Sequence, residues 1–162
     1  MNYYVLYCQT LKCEGVCRRL NGKGKLQAFI PQMESYHRLS NQILLKTMFP
    51  GYVFIKSELN QSEFDALLSS LSDERNGIIK ELKKSEVSAL TKDEIDLYQR
   101  LWNQNGILIM SEGYKENGKT IVTKGPLLSF QEEIIATDKR DMVAVLKLTF
   151  LDRNIKAGIL LK

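Results

Sequence analysis

Residues 112–122 read EGYKENGKTIV, and within them Gly113, Gly118, Lys119 and Thr120 have the G-x-x-x-x-G-K-T spacing of a phosphate-binding loop. In such a loop the glycines let backbone N–H groups wrap the phosphates, the Lys reaches the outer phosphates and the Thr holds Mg²⁺. The chemistry requires a loop that leaves a strand and opens a helix, because the helix N-terminus supplies part of the anion binding. Ile107-Leu108-Ile109-Met110 upstream fits a strand. Downstream, Ile121-Val122-Thr123 is β-branched and Gly125-Pro126 follows, which reads as a strand and then a turn. The 42 residues after Thr120 are too few for the further βα units of a nucleotide-binding sheet. The stretch is therefore read as a turn at a domain boundary, with Lys119 and Thr120 opening a strand.

Other residues that do chemistry are sparse. Cys8, Cys13 and Cys17 are the three cysteines and His37 is the one histidine. Cys13 and Cys17 stand at i, i+4 and share a helix face, yet no second close ligand pair completes a zinc site. An odd count without C-x-x-C pairs argues against a disulfide framework, so three reduced, buried thiols are expected. No Ser/His/Asp grouping or carboxylate-rich loop is present, so no catalytic residue, metal or cofactor is assigned and a non-enzymatic role is expected.

The elements that would position any site are legible from periodicity. Asn2–Cys8 is aromatic and β-branched, a strand. Thr10 caps a predicted helix over 11–21, with Cys13, Val16, Cys17 and Leu20 on one stripe. Asn21-Gly22-Lys23-Gly24-Lys25 is a basic turn, and Leu26–Met33 reads as a strand with Pro31 at its end or edge. Residues 34–42 are polar, and a strand resumes at Ile43. Asn60 with Glu63, and Thr91 with Glu94, are capping boxes that open helices. Residues 103–119 read as a connector around a short apolar strand. Met142–Leu151 alternates, with Ala144, Leu146, Leu148 and Phe150 on one face, and Ile155, Ala157 and Ile159 alternate after it. Short strands so closely spaced close most easily as a small barrel.

The chain has 162 residues, 44% of them hydrophobic, enough for one large domain or two small ones. No apolar run has membrane-spanning length and no signal-peptide pattern opens the chain, so a cytoplasmic protein without membrane attachment is expected. Residues 1–56 carry eight Lys/Arg against two Asp/Glu, residues 57–112 six against eleven, and residues 113–162 nine against six. Such asymmetry fits nucleic acid meeting the basic parts, or plain solvated charge.

Met48-Phe49-Pro50-Gly51-Tyr52-Val53-Phe54-Ile55-Lys56 is the most informative run. Pro-Gly forces a turn, and aromatics flank it on both sides. Two readings stand: a buried aromatic core, or a hydrophobic pocket for a partner. The run resembles the F-P-G-Y-V signature of the NusG family of transcription elongation factors. Tyr3-Tyr4-Val5-Leu6-Tyr7-Cys8 resembles that family's first strand, and Val122-Thr123-Lys124-Gly125-Pro126-Leu127 resembles the start of its C-terminal KOW domain. The three matches fall in family order.

The resemblance implies an α+β chain: an N-terminal NGN-type α/β sandwich domain over 1–103, a linker over 104–117, and a C-terminal SH3-like KOW β-barrel over 118–162. It implies a pocket that grips the clamp helices of the largest RNA polymerase subunit, formed by Tyr7, Phe49, Pro50, Tyr52 and Phe54. DNA or nascent RNA of the elongation complex would meet Arg18, Arg19, Lys23, Lys25 and Arg38. The implied role is processive transcription or antitermination by a monomer, with the ribosome as a further KOW-domain partner. Ser129 and Glu133 stand where family KOW motifs usually carry Gly. The better-kept polymerase-binding half then implies a specialised paralogue of the LoaP or RfaH type, acting on specific operons. In RfaH the KOW domain can be helical; the Val- and Thr-rich 142–151 segment favours a barrel here. The alternatives are a ribosome-associated or general RNA-binding KOW protein and, through the G-K-T spacing, a nucleotide hydrolase.

Overall fold

The computed structural model describes residues 1–84 and 87–162. In chain order the elements begin with β1 (Asn2–Cys8), α1 (Cys13–Asn21), β2 (Leu26–Phe29), β3 (Gln32–His37), β4 (Gln42–Thr47) and β5 (Tyr52–Ser57). There follow α2 (Gln61–Ser70), β6 (Ile78–Lys84), β7 (Val87–Ser88), α3 (Lys92–Leu101) and β8 (Ile107–Leu108). The chain ends with β9 (Ser111–Glu116), β10 (Lys119–Lys124), β11 (Ile134–Asp138), β12 (Val143–Phe150) and β13 (Arg153–Leu161). The fold is mixed α/β and divides into two compact units. One is Met1–Pro31 with Phe49–Ile95, and the other is Gln32–Met48 with Asp96–Lys162.

The first unit is built on a five-stranded sheet in the order β2-β5-β1-β6-β7. Successive side chains on a strand face opposite ways, so one face of the sheet carries Tyr4, Leu6, Cys8, Val53, Ile55, Leu26 and Ala28. All of these are buried in one cluster with Cys13, Val16 and Leu20 of α1 and Phe64 of α2. The helical stripe expected on α1 is thus its core face. Its first turn differs from expectation: residues 10–12 form a 3-10 turn, and Lys12, not Thr10, stands at the N-cap of α1, without a side-chain cap. On α2, Asn60 Oδ1 accepts from the Glu63 N–H at 2.9 Å and Glu63 Oε1 accepts from the Asn60 N–H at 3.0 Å. Tyr4 stacks on Phe64, ring centroids 4.0 Å apart and 8° from parallel, and its hydroxyl donates to the Leu59 carbonyl at 2.5 Å.

In the second unit, β4-β3-β8 form one three-stranded sheet and β10-β9-β13-β12-β11 a five-stranded one. The larger sheet curls. Its outer strands approach where the Thr120 and Thr137 hydroxyls meet at 3.2 Å, and the Gln131 side chain bonds one edge of β10 twice, accepting from the Val122 N–H at 2.6 Å and donating to the Thr120 carbonyl. Ala144, Leu146, Phe150, Ile155, Ala157 and Ile159 are buried, so the alternation read from β12 and β13 is real. Residues 143–150 are strand, not helix. Residues 111–116, read as part of a linker, form β9 and pair with both β10 and β13. The single strand expected over 26–33 is two strands in different sheets, divided at Ile30-Pro31.

The G-x-x-x-x-G-K-T residues lie on a β-hairpin. Gly113 is in β9, Lys119 and Thr120 are in β10, and Asn117 and Gly118 turn between them with φ of 53° and 78°. Lys119 and Thr120 open a strand instead of a helix, and the next helical residues are a 3-10 turn only at Pro126–Glu133, so the turn's backbone runs into the ladder and no phosphate cradle forms. The two glycines serve different ends. A Cβ on Gly113 would lie 2.4 Å from the Ile121 carbonyl oxygen, whereas Gly118 has open space around it. Gly113→Ala is therefore expected to cost about 3 kcal/mol of stability through overpacking against backbone, while Gly118→Asn and Lys119→Ala stay within about 1 kcal/mol, as left-handed Asn and exposed Lys sites allow. Urea midpoints of the three variants check this.

Candidate functional site

The aromatic site begins with a turn. Phe49, Pro50, Gly51 and Tyr52 close a β-turn in which the Tyr52 N–H donates to the Phe49 carbonyl at 3.0 Å. Pro50 pre-sets the second position, and Gly51 takes φ +87° at the third, the demand of a type II turn. The Gly51 carbonyl accepts from the Cys8 N–H at 2.7 Å, which fastens the turn to the end of β1. A Cβ on Gly51 would sit 3.2 Å from the Cys8 carbonyl oxygen and 3.2 Å from the Tyr7 ring.

β5 leaves this turn antiparallel to β1, with Tyr7 opposite Tyr52 and Val5 opposite Phe54. The face turned away from the α1/α2 core therefore carries an aromatic row. Tyr7 meets Tyr52 edge to face, centroids 5.6 Å apart at 76°. Phe49 stacks near Tyr52 at 6.5 Å and Phe54 at 5.9 Å. Phe29 of β2 extends the row to Phe54 at 5.9 Å. All five residues of the expected pocket are thus in one place, but not on equal terms. Phe54 and Phe49 are 0% and 5% exposed, Tyr7 is 38% exposed, Tyr52 is half-buried and Pro50 is exposed. The row divides: the phenylalanines are core, and Tyr7, Pro50 and Tyr52 reach the surface. Phe29 was not singled out; the alternation Leu26-Gln27-Ala28-Phe29, with Leu26 and Ala28 inward, was its signal.

The five basic candidates divide as well. Arg19 donates from Nη2 to the Asn76 carbonyl oxygen, and its buried Nε has no hydrogen-bond partner among the described residues. Lys23 pairs with Glu74 at 2.6 Å. Its hydrogen bond is the main cause holding the Glu74 carboxyl down to about 2. Both therefore tie α1 and its following turn to residues 73–76, a link the sequence pattern does not reveal. Arg18 and Lys25 are exposed and make no ion pair among the described residues. Arg38 belongs to the other compact unit, in the β3–β4 turn, 4.0 Å from Asp141. Lys56, which was not singled out, lies over the Tyr3 ring at 6.0 Å.

The cysteines are free thiols, Cys8 and Cys13 buried and Cys17 half-buried. His37 is exposed, its Nδ1 2.7 Å from the Ser40 hydroxyl. No cluster that could hold a metal ion occurs among the described residues. Nor is any helix among them long and apolar enough to cross a membrane.

A family model described as "Transcription termination factor nusG" matches residues 1–99. No match to a curated protein was found. The matched span contains Tyr7, Phe49, Pro50, Tyr52 and Phe54, and all five basic candidates.

The thiols beside the turn give a measurable pH dependence. Burial raises Cys8 and Cys17 from the ordinary 9.0 to about 12 each. A raised value means the fold retains the proton. That stabilisation is complete below pH 9 and is lost as pH rises from 9 toward 12. Since the thiolate is the nucleophile, alkylation of Cys8 and Cys17 by iodoacetamide at pH 8.5 is expected to be close to a thousandfold slower in the folded chain than in urea, as the rise from 9.0 to about 12 implies. Mass spectrometry of timed samples reads the two rates.

Proposed function

The chain belongs to the NusG family, and we propose that it is a transcription elongation factor that grips the clamp helices of RNA polymerase through Tyr7, Pro50 and Tyr52, seated on Phe49 and Phe54. The observation that supports this is the half-exposed Tyr7–Tyr52 pair at the Pro-Gly turn, inside the matched residues. Tyr rings offer large, stiff, amphipathic contact area, and such anchors dominate interfaces. The buried phenylalanines beneath hold the rings in place before binding, so little ordering entropy is lost on contact.

The action proposed is processive transcription and antitermination by a cytoplasmic, non-enzymatic monomer, a specialised paralogue of the LoaP or RfaH type serving specific operons. Nucleic acid of the elongation complex would meet Arg18 and Lys25 first, the two basic candidates with neither an ion pair nor a side-chain hydrogen bond among the described residues. The curled sheet of residues 111–161 would act as the KOW domain and offer the ribosome a contact. A second reading, a ribosome-associated or general RNA-binding KOW protein, rests on the exposed Tyr114, Lys115 and Lys119 of its first hairpin.

Immobilised bacterial RNA polymerase is expected to retain the wild-type chain, and the Tyr7→Ala/Tyr52→Ala variant is expected to bind about 30-fold more weakly, the effect of losing about 2 kcal/mol at an interface hot spot. Equal retention of both would refute the clamp-helix reading. Ribosome co-sedimentation without polymerase retention would establish the second one. Phe49→Ala is unsuitable as a probe because it opens the core.

For the basic surface, Arg18→Ala with Lys25→Ala is expected to reduce the slope of log affinity for nucleic acid against log salt by about 2. A fluorescence titration at several salt concentrations measures it. An unchanged slope removes these residues from the phosphate contact.

A further inference from the structure

A strand at the edge of a sheet carries a row of backbone N–H and C=O groups with no neighbour. Two edge strands of this chain are closed by a side-chain carboxamide. At β2, an edge of its sheet, Asn21 Nδ2 donates to the Ala28 carbonyl at 3.0 Å and Asn21 Oδ1 accepts from the Ala28 N–H at 2.7 Å. One amide thus takes both outward groups of one residue, as a neighbouring antiparallel strand would. At β10, also an edge, Gln131 takes the Thr120 carbonyl and the Val122 N–H.

Strand β4 is an edge as well, in the order β4-β3-β8, and nothing closes it. It pairs with β3 along its whole length, from Gln42 opposite His37 to Thr47 opposite Gln32. Alternate residues of such a strand turn their backbone groups away from the partner. Beyond this ladder, no hydrogen bond reaches residues 42–47 among the described residues. The side chains are equally open: Ile43, Leu44 and Leu45 are 42%, 45% and 54% exposed. Consecutive side chains face opposite ways, so apolar surface lies on both faces of this edge. Charge on an edge strand deters pairing, and β4 carries only Lys46 near its end.

These features select an occupant. The free backbone edge suits an extended segment, and the Ile-Leu-Leu trio suits apolar side chains above and below it. From Ser35 to Thr47 the formal charges are Arg38 and Lys46, with no carboxylate, so the complementary segment is acidic. A second copy of this chain has the strand and the apolar trio but brings a hairpin of like charge. Nucleic acid suits the cations but leaves three aliphatic side chains without partners. We propose that β4 is a docking edge for an extended protein segment with apolar side chains between flanking carboxylates, which joins the three-stranded sheet as a fourth strand. Main-chain bonds supply its affinity and the side chains its specificity. The docking edge is independent of the clamp-helix reading and stands whichever partner the aromatic row takes.

Hydrogen exchange on the full chain, read by NMR residue by residue, tests it with a blocked hexapeptide, Glu-Val-Thr-Ile-Val-Glu. At ten times the peptide's dissociation constant, alternate amides within 42–47 are expected to exchange about tenfold more slowly, as mass action gives, with residues 143–150 unchanged. The Lys-flanked peptide, and the Ile43→Ser/Leu45→Ser variant with the acidic one, are each expected to bind about fivefold more weakly, the size of two cross-strand contacts. Both substitutions are at exposed positions, and unchanged exchange in 143–150 verifies the fold. The fully N-methylated peptide, which has no backbone donor, needs no variant and is expected to protect nothing. Absence of protection by the acidic peptide at millimolar concentration overturns the docking edge, as does equal protection by the N-methylated one. Protection of 42–47 that grows with protein concentration alone assigns the edge to a second copy and also overturns it. The same holds if duplex DNA, and not the peptide, protects these amides.

Discussion

The register between β1 and β5 is the constraint on which the first unit depends. Because side chains alternate, a slip of one residue would exchange every core residue for a surface one. With Tyr7 opposite Tyr52, Tyr4, Leu6, Val53 and Ile55 point together into the helical core, and Tyr7 and Tyr52 emerge together on the other face. The register is fixed at its end by the Phe49–Tyr52 turn and the bond from Cys8 to Gly51. The same turn that sets the fold therefore sets the candidate site. A surface made this way is rigid by construction, since its residues cannot move without displacing the core strands.

Much of this was legible in the chain. Capping boxes were found where Asn60/Glu63 and Thr91/Glu94 stood, because a capping box is a local hydrogen-bond exchange with little dependence on tertiary context. The α1 stripe and the β12 and β13 alternations were legible because each buries one full face. Of the β3–β4 hairpin, β4 was read as the strand resuming at Ile43, but β3 was not. Gln32–His37 reads Gln-Met-Glu-Ser-Tyr-His, with no apolar alternation, and all six residues of β4 are exposed. What makes β3 a strand is its pairing with β4 and with β8, where Gln32 lies beside Ile107. A partner so far along the chain leaves no trace in a local window. Within the candidate site, pattern gathered the aromatics but could not rank their exposure. That ranking depends on which face of β5 each ring occupies and on what packs there.

The G-K-T stretch shows the same division between local and contextual information. Asn117-Gly118 is the residue pair that two-residue hairpins prefer, and both residues take the left-handed conformation such turns require. Leu151 and Asp152 do the same between β12 and β13, at φ 51° and 61°, with a residue type that local rules disfavour. Leu151 is buried, and that burial offsets its conformational cost. One hairpin was readable because its turn is satisfied by its own residues. The other is satisfied only by the core it turns over.

Charge placement follows a related logic. Arg19 and Lys23 look like nucleic-acid ligands in a list of basic residues, but the fold has brought Asn76 and Glu74 to them. A phosphate would have to replace partners already in place, and Lys23 would leave Glu74 uncompensated. Arg18 and Lys25 have no such partner to surrender. Exposed ion pairs are individually weak, so the distinction is one of competition and not of exclusion. It nonetheless ranks five sequence-equivalent cations by what each must lose to bind. That ranking comes from the 73–76 loop, which carries no basic residue motif of its own and lies more than fifty residues beyond the helix it braces.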